Sequence, residues 1–268
     1  VGGAIHTRRQ GPVATVALAN PGKLNAVDYA MWGELKAALD DLRREADAPG
    51  SELRVVVITG EPDGATPAFA AGGDLEEFLT LRTTLDQALH YHDERVAPAL
   101  DAIADCPLPT VAAIDGPCIG GGLEIAAACD LRIATASSRF GAPINRLGFS
   151  MYPGEMAGLV RLAGPAVVLE ILLEGRVFAA AEAYAKGLLT RVVDDGTLAA
   201  EVDATARRIA AGAPLVARWH KQWVRRLLHD APLTAGEKAE SFAFLATDDY
   251  KEGLRAFFAK EKPRFSGR

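Results

Sequence analysis

Two short stretches hold the residue types that chemistry needs. Cys118–Asp130 reads CIGGGLEIAAACD, three successive glycines and then a glutamate opening an alanine-rich segment. Phe69–Asp74 reads FAAGGD, a second loop of small residues. If Gly120–Gly122 make a sharp turn into a helix, the first N–H groups of that helix lack internal partners and point outward at the positive end of its dipole. Such a corner can receive a carboxylate, a phosphate or an oxyanion. Phosphate is disfavoured, because the glycines fit neither G-x-x-x-x-G-K-[ST] nor G-x-G-x-x-G, and Glu124 would repel it. A transient oxyanion suits better, since Glu124 can exchange a proton with the same reacting group. The alternative is a turn that permits tight packing, with Glu124 as a favourable first-turn carboxylate. The second loop weighs against that alternative. Two bare backbone N–H groups after neighbouring parallel strands would converge where α/β folds bind ligands.

The elements that must position these loops follow from hydrophobic periodicity. Val13–Ala19 alternates and ends at the turn NPGK, which predicts a strand; Leu53–Thr59 and Pro109–Ile114 are continuous apolar runs typical of buried strands. Leu131–Ala134 and Arg191–Val193 read as short strands. Asp28–Ala46 carries Met31, Leu35, Leu39 and Leu42 at helical spacing. Glu76–Asp105 reads as helix in two pieces, Pro165–Lys186 as helix, loop, helix, and Thr197–Lys262 as helical throughout. Strands alternating with helices predict an α/β fold with parallel strands. Residues 1–195 are expected to form the core and 196–268 a helical oligomerisation region.

Composition bounds the function. The chain has 268 residues, 49% apolar, with a formal net charge of −6. This is a globular composition with no electrostatic footprint for nucleic acid. Cys106, Cys118 and Cys129 are few and lack metal-ligand spacing, so reduced thiols in a cytoplasmic protein are expected. The N-terminal segment shows no apolar signal region, and no apolar run is expected to cross a membrane. His90 and His92 flank Tyr91; two residues apart on a helix they face different directions, so a metal pair is not expected. One of them could line the acyl pocket, although a solvated face is the simpler reading. No serine sits in a G-x-S-x-G setting.

Taken in order, FAAGGDL, PTVAAIDGPCIGGGLEIAAACDLRIA and ASSRFGAPINRLG resemble the enoyl-CoA hydratase/isomerase (crotonase) superfamily. NPGKLNAV near the start, AAEAYAKGLLTRVVDD and EGLRAFFAKEKPRF extend the resemblance over most of the chain. It implies a crotonase-like ββα superhelix with a C-terminal helical region, trimeric or hexameric, acting on an acyl- or enoyl-CoA thioester. No metal or separate cofactor is implied, coenzyme A being part of the substrate. The Gly73 and Gly121 N–H groups would hold the thioester oxyanion, with Glu124 as general acid/base. Backbone near Leu24 and Ala71 would grip the adenine end of CoA, beside Asp74, and Phe257 and Lys260 would reach the nucleotide across a subunit contact. Without the resemblance, Phe257 reads as a core residue and Lys260 as solvated.

One departure matters more than these matches. The family's second glutamate lies in a phenylalanine-glycine-glutamine-proline-glutamate segment, which here reads Phe140-Gly-Ala-Pro-Ile144. Ile144 cannot transfer a proton. Either Glu124 acts alone, or another carboxylate substitutes, or the reaction is an isomerisation, a decarboxylation or a C–C cleavage. A CoA-ester-binding protein without catalysis is the non-enzymatic alternative. Glu155 is the nearest substitute, although after Pro153-Gly154 it reads first as an ordinary first-turn helix glutamate. Pocket walls are expected from residues 79–95 and 144–156.

Overall fold

The computed structural model describes residues 2–268. β1 (Ala4–Gln10) and β2 (Val13–Ala19) form an antiparallel pair, and β2 continues in parallel with β3 (Val55–Gly60). Next come β4 (Thr110–Ile114), the short β5 (Pro117–Ile119) and β6 (Leu131–Thr135). β7 (Arg139–Gly141), β8 (Phe178–Ala179) and β9 (Arg191–Val193) complete the strands. The main sheet has the order β1-β2-β3-β4-β6-β9, and β5-β7-β8 make a smaller sheet beside it. β1 has no counterpart among the sequence expectations. It is an edge strand, AIHTRRQ, whose charged exposed residues erase the apolar alternation that marks a strand.

The helices are α1 (Tyr29–Asp47), α2 (Leu75–Leu81), α3 (Leu85–Tyr91), α4 (Ala97–Ala104) and α5 (Gly121–Ala128). They continue as α6 (Pro153–Glu174), α7 (Ala180–Ala185) and α8 (Leu198–Ala210). The chain closes with α9 (Pro214–Arg226), α10 (Ala235–Glu240) and α11 (Asp248–Ala259). Burial on both faces explains the unbroken apolar runs of the central strands. Val56, Ile58, Ala112 and Ile114 share a core with Met31, Leu35 and Leu39 of α1. Their neighbours Val55, Val57, Val111 and Ala113 face the other way, onto Val202 and Ala206 of α8.

Three departures from the expected elements bear on the site. The 76–105 region holds three helices, because Thr84 caps a restart at α3 and a π-turn, His92–Val96, separates α3 from α4. α6 begins at Pro153, twelve residues before the expected helix at Pro165. It is long and apolar enough to cross a membrane by length and composition, contrary to expectation, but Gly164 (φ 78°, ψ 163°) breaks it. Its first half instead carries Glu155 inward, where that residue is buried. The expected C-terminal helices are present, and they leave Leu227, Leu228, Phe242, Leu245, Phe257 and Phe258 exposed.

Candidate active site

The two glycine loops are laced together by backbone. Pro117 O accepts from the Ala70 N–H at 2.9 Å, and Ala70 O accepts from the Ile119 N–H at 3.0 Å. Gly122 permits this approach, because a Cβ there would lie 2.4 Å from Ala70 O. Gly120 supplies the sharp entry into α5 with φ of 48°, a region that side chains disfavour. Gly121 is then the first residue of α5, where an N–H has no helical partner. Around Gly73, the Val27 N–H donates to Gly72 O and the Asp74 N–H to Val27 O, at 2.8 and 3.0 Å. The Gly73 N–H takes part in neither bond. A Cβ at Gly121 would stand 3.5 Å from Gly73 N, so the two predicted donors are neighbours.

They open on a cavity of about 150 Å³ that also receives Glu124, Ile144, Glu155, Tyr91 and His92. Glu124 is 8% exposed and Glu155 6% exposed. Burial, and then the charge of Glu155, push the Glu124 carboxyl well above the ordinary range for a glutamate. Glu155 pairs with His92 through Oε1 and Nδ1, and Tyr152 stacks on the imidazole with ring centroids 5.2 Å apart. The Tyr152 hydroxyl donates to Asp93 at 2.6 Å, which fixes the stacking ring. A larger groove of about 1050 Å³ lies between the sheet and α8, but neither Gly73 nor Gly121 nor either buried glutamate lines it.

Two expectations need correction here. Glu155 does occupy the first turn of α6, yet it faces the cavity and supplies a second buried carboxylate, while Ile144 forms an apolar wall. His92 is not solvated, since its side chain is only 13% exposed. It lines the cavity, as one of the two histidines could. His90 turns elsewhere, to the Tyr29 hydroxyl at 2.9 Å. A signal for Glu155 did exist, as a lone carboxylate in a segment otherwise apolar for two turns. Because α6 is apolar all round, its sequence does not reveal which face is inward.

The remaining predicted residues lie outside this cavity or at its rim. Leu24 O accepts from the Ala71 N–H at 3.0 Å, and the left-handed Leu24 (φ 48°) and Asn25 (φ 57°) shape that loop. Ala71 lines the cavity. Asp74 caps α2, accepting from the Glu76 N–H at 3.1 Å and from Lys23 Nζ at 2.6 Å. Phe257 is 75% exposed, so its alternative reading as a core residue is wrong. Lys260 ends α11 in a left-handed conformation, φ 57°, and is exposed.

Comparison with known proteins bears on this arrangement. Residues 8–268 match the profile of the family described as enoyl-CoA hydratase/isomerase. A solved structure of an enoyl-CoA hydratase/carnithine racemase from Magnetospirillum magneticum is 48% identical, with a TM-score of 0.93 over 99% of this chain and 96% of that one. An enoyl-CoA hydratase structure from Bacillus anthracis is 30% identical, with a TM-score of 0.86 over 98% and 99% of the two chains. A Rhizobium meliloti protein named "Probable enoyl-CoA hydratase" is 35% identical over 265 residues, 97% of this chain and 96% of its own length.

Proposed function

Because the chain belongs to the enoyl-CoA hydratase/isomerase family and has the crotonase fold, we propose that it hydrates an enoyl-CoA thioester with Glu124 and Glu155 as its acid–base pair. The observation that carries this reading is the burial of Glu155 beside Glu124 in one cavity with Gly73 and Gly121. It supplies the second proton-transfer group that Ile144 cannot.

Each group takes the role its surroundings favour. Glu155, held by the His92 imidazole, is the carboxylate that accepts a proton from water. The hydroxide so formed adds to the β-carbon, and the electron pair of the double bond moves to the thioester oxygen. The N–H groups of Gly73 and Gly121 stabilise that enolate oxygen, a term worth about 3–4 kcal/mol per donor. Glu124, whose raised pKa keeps it protonated, then delivers its proton to the α-carbon as the carbonyl re-forms. Redistribution of the proton from Glu155 to Glu124 restores the starting state. The sum is addition of one water across the double bond.

A homotrimer or homohexamer accords with the apolar side chains left exposed on α11, Leu254, Phe257 and Phe258. The test of function is incubation with short trans-2-enoyl-CoA thioesters, crotonyl-CoA first, following loss of the conjugated thioester absorbance. A product heavier by one water supports hydration. A product of unchanged mass with a shifted double bond replaces hydration by isomerisation, and recovery of unaltered substrate from the whole panel refutes catalysis.

A further inference from the structure

The proposed mechanism leaves one charged residue of the cavity unused. Arg82 follows α2 and lines the same cavity, partly buried. Its guanidinium carbon lies 4.0 Å from the centroid of Phe78 and 4.6 Å from that of Phe149. These two rings pack edge to face at 5.8 Å, so they form a rigid apolar seat that fixes the guanidinium. Among the described residues no carboxylate lies within ion-pair distance of it; Glu155, the cavity carboxylate that feels its charge, is engaged by His92. Phe78 also packs against Tyr91 at 5.6 Å, and the Tyr91 hydroxyl is buried without a partner. Trp32 Nε1 lies beside that hydroxyl. One wall of the cavity therefore holds a seated cation that no carboxylate of the described residues pairs.

A partly desolvated cation left unmatched is costly, and an anion in the cavity removes that cost. The cavity is small: about 150 Å³ suits a group about the size of benzene, hence a short acyl tail. We propose that the acyl group is short and ends in a carboxylate, and that Arg82 is the specificity-determining residue that receives it. The substrate class is then the CoA thioesters of short dicarboxylic acids. This rests on the thioester reading above and narrows it.

Binding, measured calorimetrically on the full chain, separates the two. The probes are succinyl-CoA and glutaryl-CoA, each against its methyl-terminated counterpart, butyryl-CoA or valeryl-CoA. A charge-assisted pair predicts that the better dicarboxylic thioester binds about 10- to 100-fold more tightly than its counterpart. Arg82→Gln should remove that preference, while Arg82→Lys should keep part of it, as a point charge lacking the planar fork. Equal binding of all four thioesters to the native chain would overturn the assignment to Arg82 alone. So would a preference that survives Arg82→Gln with the helical circular dichroism intact. Failure of all four to bind would sink the thioester reading as well.

Discussion

Replacing Glu155 by glutamine tests the acid–base pair with the least disturbance of shape. The amide keeps an oxygen for His92 Nδ1 and fills the same volume, but it cannot accept a proton from water. A positioned general base contributes about 10²–10⁴-fold, so kcat should fall by that factor, about 3–5 kcal/mol of barrier. The oxyanion donors of Gly73 and Gly121 are untouched, so KM should stay near that of the native enzyme. A second consequence follows from electrostatics. The Glu124 carboxyl is held up first by burial and second by the charge of Glu155. Removing that charge lowers its pKa without returning it to the ordinary range, because burial remains. As the acid, Glu124 must be protonated to act, so activity is lost as pH rises through its pKa. The alkaline limb of the kcat–pH profile should therefore move to lower pH in Glu155→Gln. The assay is steady-state loss of the enoyl-thioester absorbance across pH, with the product checked by mass. A variant with native kcat and an unmoved alkaline limb would refute the reasoning and leave Glu155 as a structural partner of His92.

The legible parts of the molecule are those where a local pattern has one physical outcome. β3 and β4 could be read because burial on both faces demands unbroken apolar runs. The glycine corner could be read because successive glycines before an alanine-rich segment leave few alternatives to a close backbone approach, which Gly122 makes against Ala70. β1 was hidden because an edge strand is charged for solubility rather than patterned for a core. Glu155 and His92 could be named as candidates, but the sequence favoured an ordinary helix-end glutamate and a solvated histidine over cavity residues. α6 is apolar around its circumference, so no stripe marks its inner face. His90 and His92 lie together at the end of α3, and nothing in the local pattern says which of the two turns inward. Neither the seat of Arg82 on Phe78 and Phe149 nor its distance from any carboxylate exists in the sequence, since Phe149 joins it only when the 148–152 loop folds over α2.

Two further outcomes are expected. In Gly121→Val the new Cβ would sit 3.1 Å from Trp32 Cζ2 and 3.5 Å from Gly73 N, and its methyl groups must enter the oxyanion space. The expected loss is about 10²–10³-fold in kcat with the fold retained by circular dichroism, and native turnover would remove Gly121 from the hole. Glu124→Gln should abolish hydration and also change how stability depends on pH. The folded carboxyl holds its proton well above the ordinary glutamate value, and the unfolded one releases it near that value. Between the two, the folded state binds more protons, so the native protein loses stability as pH rises through this window, and keeps all of it below. Glutamine has no proton to lose. The variant's melting temperature should therefore gain on the native protein's as pH rises above about 4, by about 2–4 °C for each kcal/mol of the removed loss. A difference in melting temperature that does not vary with pH would mean that Glu124 ionises as freely in the folded chain as in water, and the acid role assigned to it would fall.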